Sequence, residues 1–156
     1  MKQTEKAGAS GRYHIIVKDQ YGNIKEEQII DNVTTTVGRA LVIERMFNAT
    51  PSADLLVNYI AVGTGTTAPV VGDTTLETET ARKLRVSLAN EDNVGSVSTV
   101  FAAGDVPTST LKEVGLFANG TGTADTGTLI SRTAIDLPVT ALDSVFIDYE
   151  YTLNDA

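Results

Sequence analysis

NYIAVGTGTTAPVVGDTTLETETAR, residues 58–82, decides how the rest of the chain is read. The run Leu55 to Val62 is apolar apart from Asn58, the pattern of a strand buried on both faces, which predicts a central position in a sheet. GTGTTAP, Gly63 to Pro69, ends that strand: Gly63 and Gly65 permit a tight backbone path, and Pro69 fixes φ and removes a donor. A phosphate-binding loop needs a Lys after its last glycine, and a dinucleotide fingerprint needs a third glycine opening a helix. This loop holds neither, so it reads as a structural turn. Asp73 to Glu79 has the spacing of a capped helical turn, with Thr74 three residues before Glu77 and Leu76 as apolar anchor. Arg82, Lys83 and Arg85 follow, able to pair with Glu77 or Glu79; such pairs at a surface contribute about 0 to 1 kcal/mol each. Glu77 and Glu79 are also the best-placed carboxylates for acid/base chemistry. Their Thr and Arg neighbours favour a structural role, because nothing nearby in the sequence would raise either pKa.

Downstream, the signal is that of a β-meander. Leu84, Val86 and Leu88 alternate with polar residues, predicting a half-buried strand that ends at Asn90 to Asn93, with Val94 to Ala103 returning as its partner. Gly104, Asp105 and Pro107 mark the next turn. Leu111 to Phe117, LKEVGLF, is a further strand in which Glu113 stands among apolar residues. A buried carboxylate needs a basic partner, and Arg82 and Arg132 are the two candidates; this structural reading outweighs catalysis. Asn119 to Gly127 is Gly- and Thr-rich loop material, a candidate contact loop. Leu129 to Leu137 forms a strand, Pro138 to Asp143 a connection and Ser144 to Leu153 the last strand. Val145, Ile147, Tyr149, Tyr151 and Leu153 share one face of it, and Phe146, Asp148, Glu150 and Thr152 the other.

Upstream, residues 1–11 are polar and small and read as a flexible N-terminal arm before a single β-rich domain over 12–156. Arg12 to Val17 and Ile24 to Asp31 flank a turn in which Gly22 and Asn23 tolerate positive φ, predicting a hairpin. Val37 to Asn48 carries the one clear helical period, with Val37, Ala40, Leu41, Glu44 and Phe47 on one side, Ile43 and Met46 widening the apolar stripe, Thr34 to Thr36 as candidate N-caps and Pro51 beyond the end. Such a helix, over about 36–48, is expected to bury its stripe against a sheet. The expected fold is therefore mainly β, an antiparallel sandwich-like domain with one covering helix.

Composition bounds the function. The 156 residues are 42% hydrophobic and 21% charged, enough apolar surface for one folded domain. A net charge of −8 argues against nucleic acid, since phosphate binding requires clustered Lys or Arg. The absence of Cys removes thiolate nucleophiles and cysteine-bound zinc. His14 is the only histidine, so a Ser-His-Asp arrangement would rest on that one strand position. No calcium-loop motif occurs, and no cofactor, metal or catalytic residue is expected. The N-terminus lacks the apolar core of a secretory signal and no run reaches about 18 apolar residues, so membrane insertion is not expected.

At YIAVGTGTTAP, then TTLETETAR, LKEVGLF, LISRT and the terminal FIDYEYTL, the chain resembles a family of small virion proteins of tailed bacteriophages, of the tail-fibre-like or baseplate-associated kind. The order and spacing of these segments match over about Asn32 to Leu153. The resemblance implies a non-enzymatic structural protein, made in the host cytoplasm and carried in the virion. It implies assembly through subunit contacts with other virion proteins and with further copies of itself, as a trimer or higher. Gly63, Gly65, Glu77, Glu79, Arg82, Glu113 and Arg132 are the structural or interface candidates. A capsid-decoration protein is the alternative. A carbohydrate-binding module ranks third, because the chain has five Tyr and no Trp to stack on a sugar.

Overall fold

The computed structural model describes residues 8–50 and 56–154. In chain order the elements are β1 (Gly8–Lys18), β2 (Ile24–Asp31), β3 (Val33–Thr34), α1 (Thr36–Phe47), β4 (Val57–Gly63), β5 (Glu79–Leu84), β6 (Ser87–Glu91), β7 (Val94–Phe101), β8 (Ser109–Ala118), β9 (Thr128–Val139) and β10 (Ser144–Asn154). They form two five-stranded sheets, β2-β1-β10-β7-β6 and β3-β9-β8-β4-β5, with antiparallel pairing throughout. The fold is mainly β, a two-sheet sandwich with one helix.

The core between the sheets follows from alternation. On β10, Val145, Ile147 and Tyr149 are buried, and they meet Tyr13, Ile15 and Val17 of β1. The Tyr13 and Tyr149 rings lie 4.7 Å apart at 57°, a tilted aromatic pair. The expected hairpin is present: Asp19 Oδ1 accepts the Tyr21 and Asn23 N–H groups at 2.9 Å, and Gly22 takes φ 85°. The strand begins earlier than expected, however. Gly8 to Gly11 pair with Asn154 to Tyr151, so this part of the predicted arm belongs to the sheet; small residues look like a tail in isolation and the glycines weaken a strand, but a long partner strand supplies the ladder that holds them. Residues 1–7 lie outside the described residues.

β4 is flanked by β8 and β5 and is buried on both faces, as its composition predicts. Ile60 and Val62 enter the main core, while Ala61 joins a second cluster with Leu76, Phe117 and Leu129. Leu76 is 3% exposed and is thus the apolar anchor the sequence suggests. Leu55, the expected first residue of this strand, is outside the described residues.

Two expectations are corrected. The single strand predicted across Leu84 to Leu88 is instead a corner: β5 edges one sheet, β6 edges the other, and the chain crosses at Arg85 and Val86. Edge positions at a sheet switch leave Leu84, Val86 and Leu88 exposed rather than inward. The second correction concerns α1. Its span agrees with the periodicity; Thr35 Oγ1 accepts the Gly38 N–H at 2.9 Å as N-cap. Its apolar stripe is only partly buried, because the helix approaches the sandwich through Gly38, where a Cβ would sit 2.5 Å from the Ile130 carbonyl oxygen of β9. Leu41 and Val42 are half-buried, whereas Ile43, Met46 and Phe47 are 57%, 69% and 77% exposed. Pro51 lies outside the described residues.

Candidate functional site

Five of the seven residues singled out from sequence converge on one buried carboxylate. Glu113, on β8, is 1% exposed and Arg132, on β9, is 3% exposed. Arg132 stands opposite Gly115, one diagonal step from Glu113 across the antiparallel pair, close enough for the side chains to meet. Arg132 Nε donates to Glu113 Oε2 at 3.0 Å, and a second guanidinium nitrogen lies 2.9 Å from the same oxygen. Of the two candidate partners, Arg132 therefore holds Glu113, and Arg82 does not.

The remaining valences of Glu113 are filled by backbone. Oε1 accepts the N–H groups of Gly65 at 3.1 Å and Thr78 at 2.7 Å, and Oε2 accepts that of Glu77 at 3.0 Å. Each carboxylate oxygen thus has two donors, close to the full acceptor capacity of an ionised side chain. This explains why Asp73 to Glu79 is not the predicted helical turn: the N–H groups that would open a helix are taken by Glu113. It also explains the glycines. A Cβ on Gly63 would lie 2.6 Å from Glu113 Oε1, and one on Gly65 would lie 2.5 Å from that oxygen and from Glu77 Cβ. The backbone passes so close to the carboxylate that a side chain at either position collides with it.

Arg132 is itself held through all three guanidinium nitrogens. It donates to Asp73 Oδ2 at 2.8 Å, to the Thr67 carbonyl at 3.1 Å and to Thr67 Oγ1 at 3.2 Å. Burial opposes its charge, but the Asp73 hydrogen bond and the Glu113 and Asp73 charges outweigh it and raise its pKa. Glu77 closes the loop from outside: it accepts the Thr67 N–H at 2.8 Å, and that bond, first among its causes, lowers its pKa.

Glu79 and Arg82 form a second knot. Two strand residues three apart ordinarily face opposite ways. Here Ala81 pairs with Val62 and Glu79 with Gly63, so Thr80 is an extra residue, and this bulge returns Glu79 to the Arg82 side. The pair is bidentate, at 2.5 and 2.7 Å, with both side chains almost fully buried. The guanidinium lies 4.7 Å from the Phe117 ring centroid and 5.6 Å from that of Tyr59. Arg82 donates to the carbonyls of Thr121 and Thr126 at 3.0 Å, and Glu79 Oε2 accepts the Asp125 N–H at 3.2 Å. Asn58, the polar interruption of its strand, exchanges two hydrogen bonds with the Gly120 backbone at 2.9 and 3.0 Å. The Asn119 to Gly127 loop is thereby tied to β4 and β5.

These contacts determine what the site can do. Glu77 and Glu79 do not face each other across a cleft; one straps a loop and the other is locked to Arg82. The Thr67 N–H holds the Glu77 carboxyl below its ordinary value, away from the neutral range that suits a general acid. His14 tells a similar story. Across one sheet the register aligns Ser87, Ser98, Asp148 and His14 beside a cleft of about 470 Å³ on the outer face. Ser98 is two strands from His14, roughly 9–10 Å by strand spacing, and His14 Nε2 is 2.7 Å from Glu27 Oε1 instead. A nucleophile and base need direct contact, so the row is not a triad. Among the described residues no three His, Asp or Glu side chains converge as metal ligands, and no helix is long and apolar enough to cross a membrane.

Asp73, Thr67, Asn58 and Thr126 belong to the two knots and were not singled out by sequence; only Asn58, as a lone polar residue in an apolar run, carried a signal. No known protein family, characterised protein or solved structure matches this chain.

Proposed function

We propose that the protein is a non-enzymatic structural component of a tailed-bacteriophage virion, acting through subunit contacts at the tail, baseplate or tail fibre. One observation supports this reading above the others. Four of the segments on which the phage resemblance rests, YIAVGTGTTAP, TTLETETAR, LKEVGLF and LISRT, meet at the Glu113–Arg132 knot, where they contribute Gly65, Glu77 with Thr78, Glu113 and Arg132 in turn. Their polar groups are consumed in fixing two loops on a rigid sandwich, the arrangement of a scaffold that presents a surface, and no free acid, base or nucleophile is left at the knot for chemistry. Two ordered loops at the margin of one sheet supply contact surface without the entropy cost of ordering them on assembly.

Immunogold labelling of particles of the phage that encodes the chain tests the proposal. Label on the tail or baseplate supports it, label spread over the head converts it to capsid decoration, and unlabelled particles refute it. His14→Ala, and Glu113→Gln under conditions where far-UV circular dichroism shows it folded, leave any turnover attributed to the protein unchanged; a large loss in either folded variant would revive catalysis.

A further inference from the structure

Next to the exposed ridge of α1 lies an open apolar groove. Leu41, Val42 and Met46 of the helix form one wall, and Val57, Leu88, Leu116, Ile130 and Tyr151 are among those lining the rest, around a space of about 270 Å³. It runs in between the two sheets and is continuous with the main core, since Leu116, Ile130 and Tyr149 belong to both. An apolar cavity of about 150 Å³ already holds a benzene ring. The groove therefore has room for a Phe ring with an aliphatic neighbour.

We infer that a second copy of this chain docks here, the two α1 helices meeting about a two-fold axis so that the Ile43–Phe47 ridge of each enters the groove of the other. Three observations carry this. First, ridge and groove lie side by side on one helix, so the surface is self-complementary, as a two-fold contact requires. Second, Ile43, Met46, Phe47 and Leu88 are between 44% and 77% exposed. Together they leave roughly 500 Å² of apolar side chain in water, in the upper part of the range for the largest patch of a monomer, which is often functional, and more than half of the ~800 Å² per partner of a stable interface, before the groove walls are included. Third, residues 36–47 carry Arg39 and Arg45 against the single acid Glu44, on a chain whose net charge is −8. Copies meeting at α1 keep most of their carboxylates out of the contact, so repulsion between two chains of −8 is weaker there than at an acidic face.

This pairing specifies one of the subunit contacts in the proposed function but is read from purified protein alone, so the two can fail separately. Sedimentation equilibrium of the full chain at micromolar concentration should give twice the chain mass or an even multiple of it. Phe47→Glu and, independently, Ile43→Glu should halve that mass while far-UV circular dichroism stays unchanged, as both side chains are exposed. Tyr21→Glu, at an equally exposed aromatic elsewhere, should leave it intact. A monomeric or trimeric wild type overturns the inference, as does an even oligomer that survives both α1 substitutions. A dimer absent from virions defeats the virion reading only, and a monomer found on virions defeats the pairing only.

Discussion

Replacing Glu113 by Gln keeps the shape of the side chain and removes one property, the ability of both ends to accept. All four partners of Glu113 are donors: the N–H groups of Gly65, Thr78 and Glu77, and the Arg132 guanidinium. Whichever way the Gln amide turns, its NH₂ faces two of them. Two buried donors left unmatched cost about 1–3 kcal/mol each, and breaking a buried ion pair costs about 3–5 kcal/mol; the two effects overlap. Asp73 still compensates part of the Arg132 charge, which places the expected loss at about 3–4 kcal/mol. With a urea slope of about 2 kcal/mol/M, the unfolding midpoint should fall by about 1.5–2 M. Equilibrium unfolding followed by far-UV circular dichroism measures it, the chain having no Trp. Arg132→Met should cost a similar amount, and the double variant should cost less than the two separately by about 1–3 kcal/mol, because the surviving partner of each single variant is the one left uncompensated. A midpoint shift below about 0.5 M for Glu113→Gln, at unchanged slope, would refute the knot as a source of stability.

Gly65→Ala should destabilise by about 1–3 kcal/mol through collision with Glu113 and Glu77, whereas Gly72→Ala, with open space around it, should stay within about 0.5 kcal/mol; equal effects would contradict the close-approach argument. Arg82→Lys keeps the charge but not the bidentate fork or the stacking on Phe117, so limited proteolysis should cut within Asn119 to Gly127 in the variant and spare the wild type. The pH dependence has a definite sign on each side. Asp19, Glu77, Asp105 and Asp143 have lowered pKa values, so the stability they contribute is full above the ordinary carboxylate range and is lost as pH falls through their lower folded values. Tyr13 and Tyr149 are raised, chiefly by burial, with Tyr149 pushed from 10.0 to about 12; their contribution is full below the ordinary tyrosine range and is lost as pH rises towards that value. Thermal melts should show a plateau with a fall at each end, and a melting temperature independent of pH on the acid side would contradict the carboxylate assignments.

Periodicity read the sandwich well where burial is one-sided or complete. The alternation of β10 and the nearly continuous apolar run of β4 each translate directly into faces of a sheet, and Glu113 stood out because a carboxylate inside an apolar strand must have a partner. The choice of Arg132 over Arg82 was not legible, because it depends on which strands are neighbours: β9 pairs with β8, whereas β5 lies on the far side of β4. The Glu79–Arg82 pair was among the pairings the sequence offered, but as a surface pair; its burial was not legible, since only the bulge at Thr80 brings residues three apart onto one face. Asp73 to Glu79 misled because a local capping signal competes with a distant acceptor, and the distant one is a buried carboxyl group paired with Arg132. The α1 stripe misled differently. Amphipathic spacing says that an apolar face wants cover but not where the cover comes from, and within one chain the Gly38 contact turns Ile43, Met46 and Phe47 outward.

The claim that a single buried carboxylate organises residues 58–82 is tested most directly by amide hydrogen exchange at Gly65, Glu77 and Thr78. These three N–H groups lie in loop segments at or next to exposed residues, and their only recorded acceptor is Glu113. Exchange as slow as that of the central strand amides of β4 and β8 is the expected result. Exchange at the rate of an unstructured chain, with β4 and β8 still protected, would contradict it.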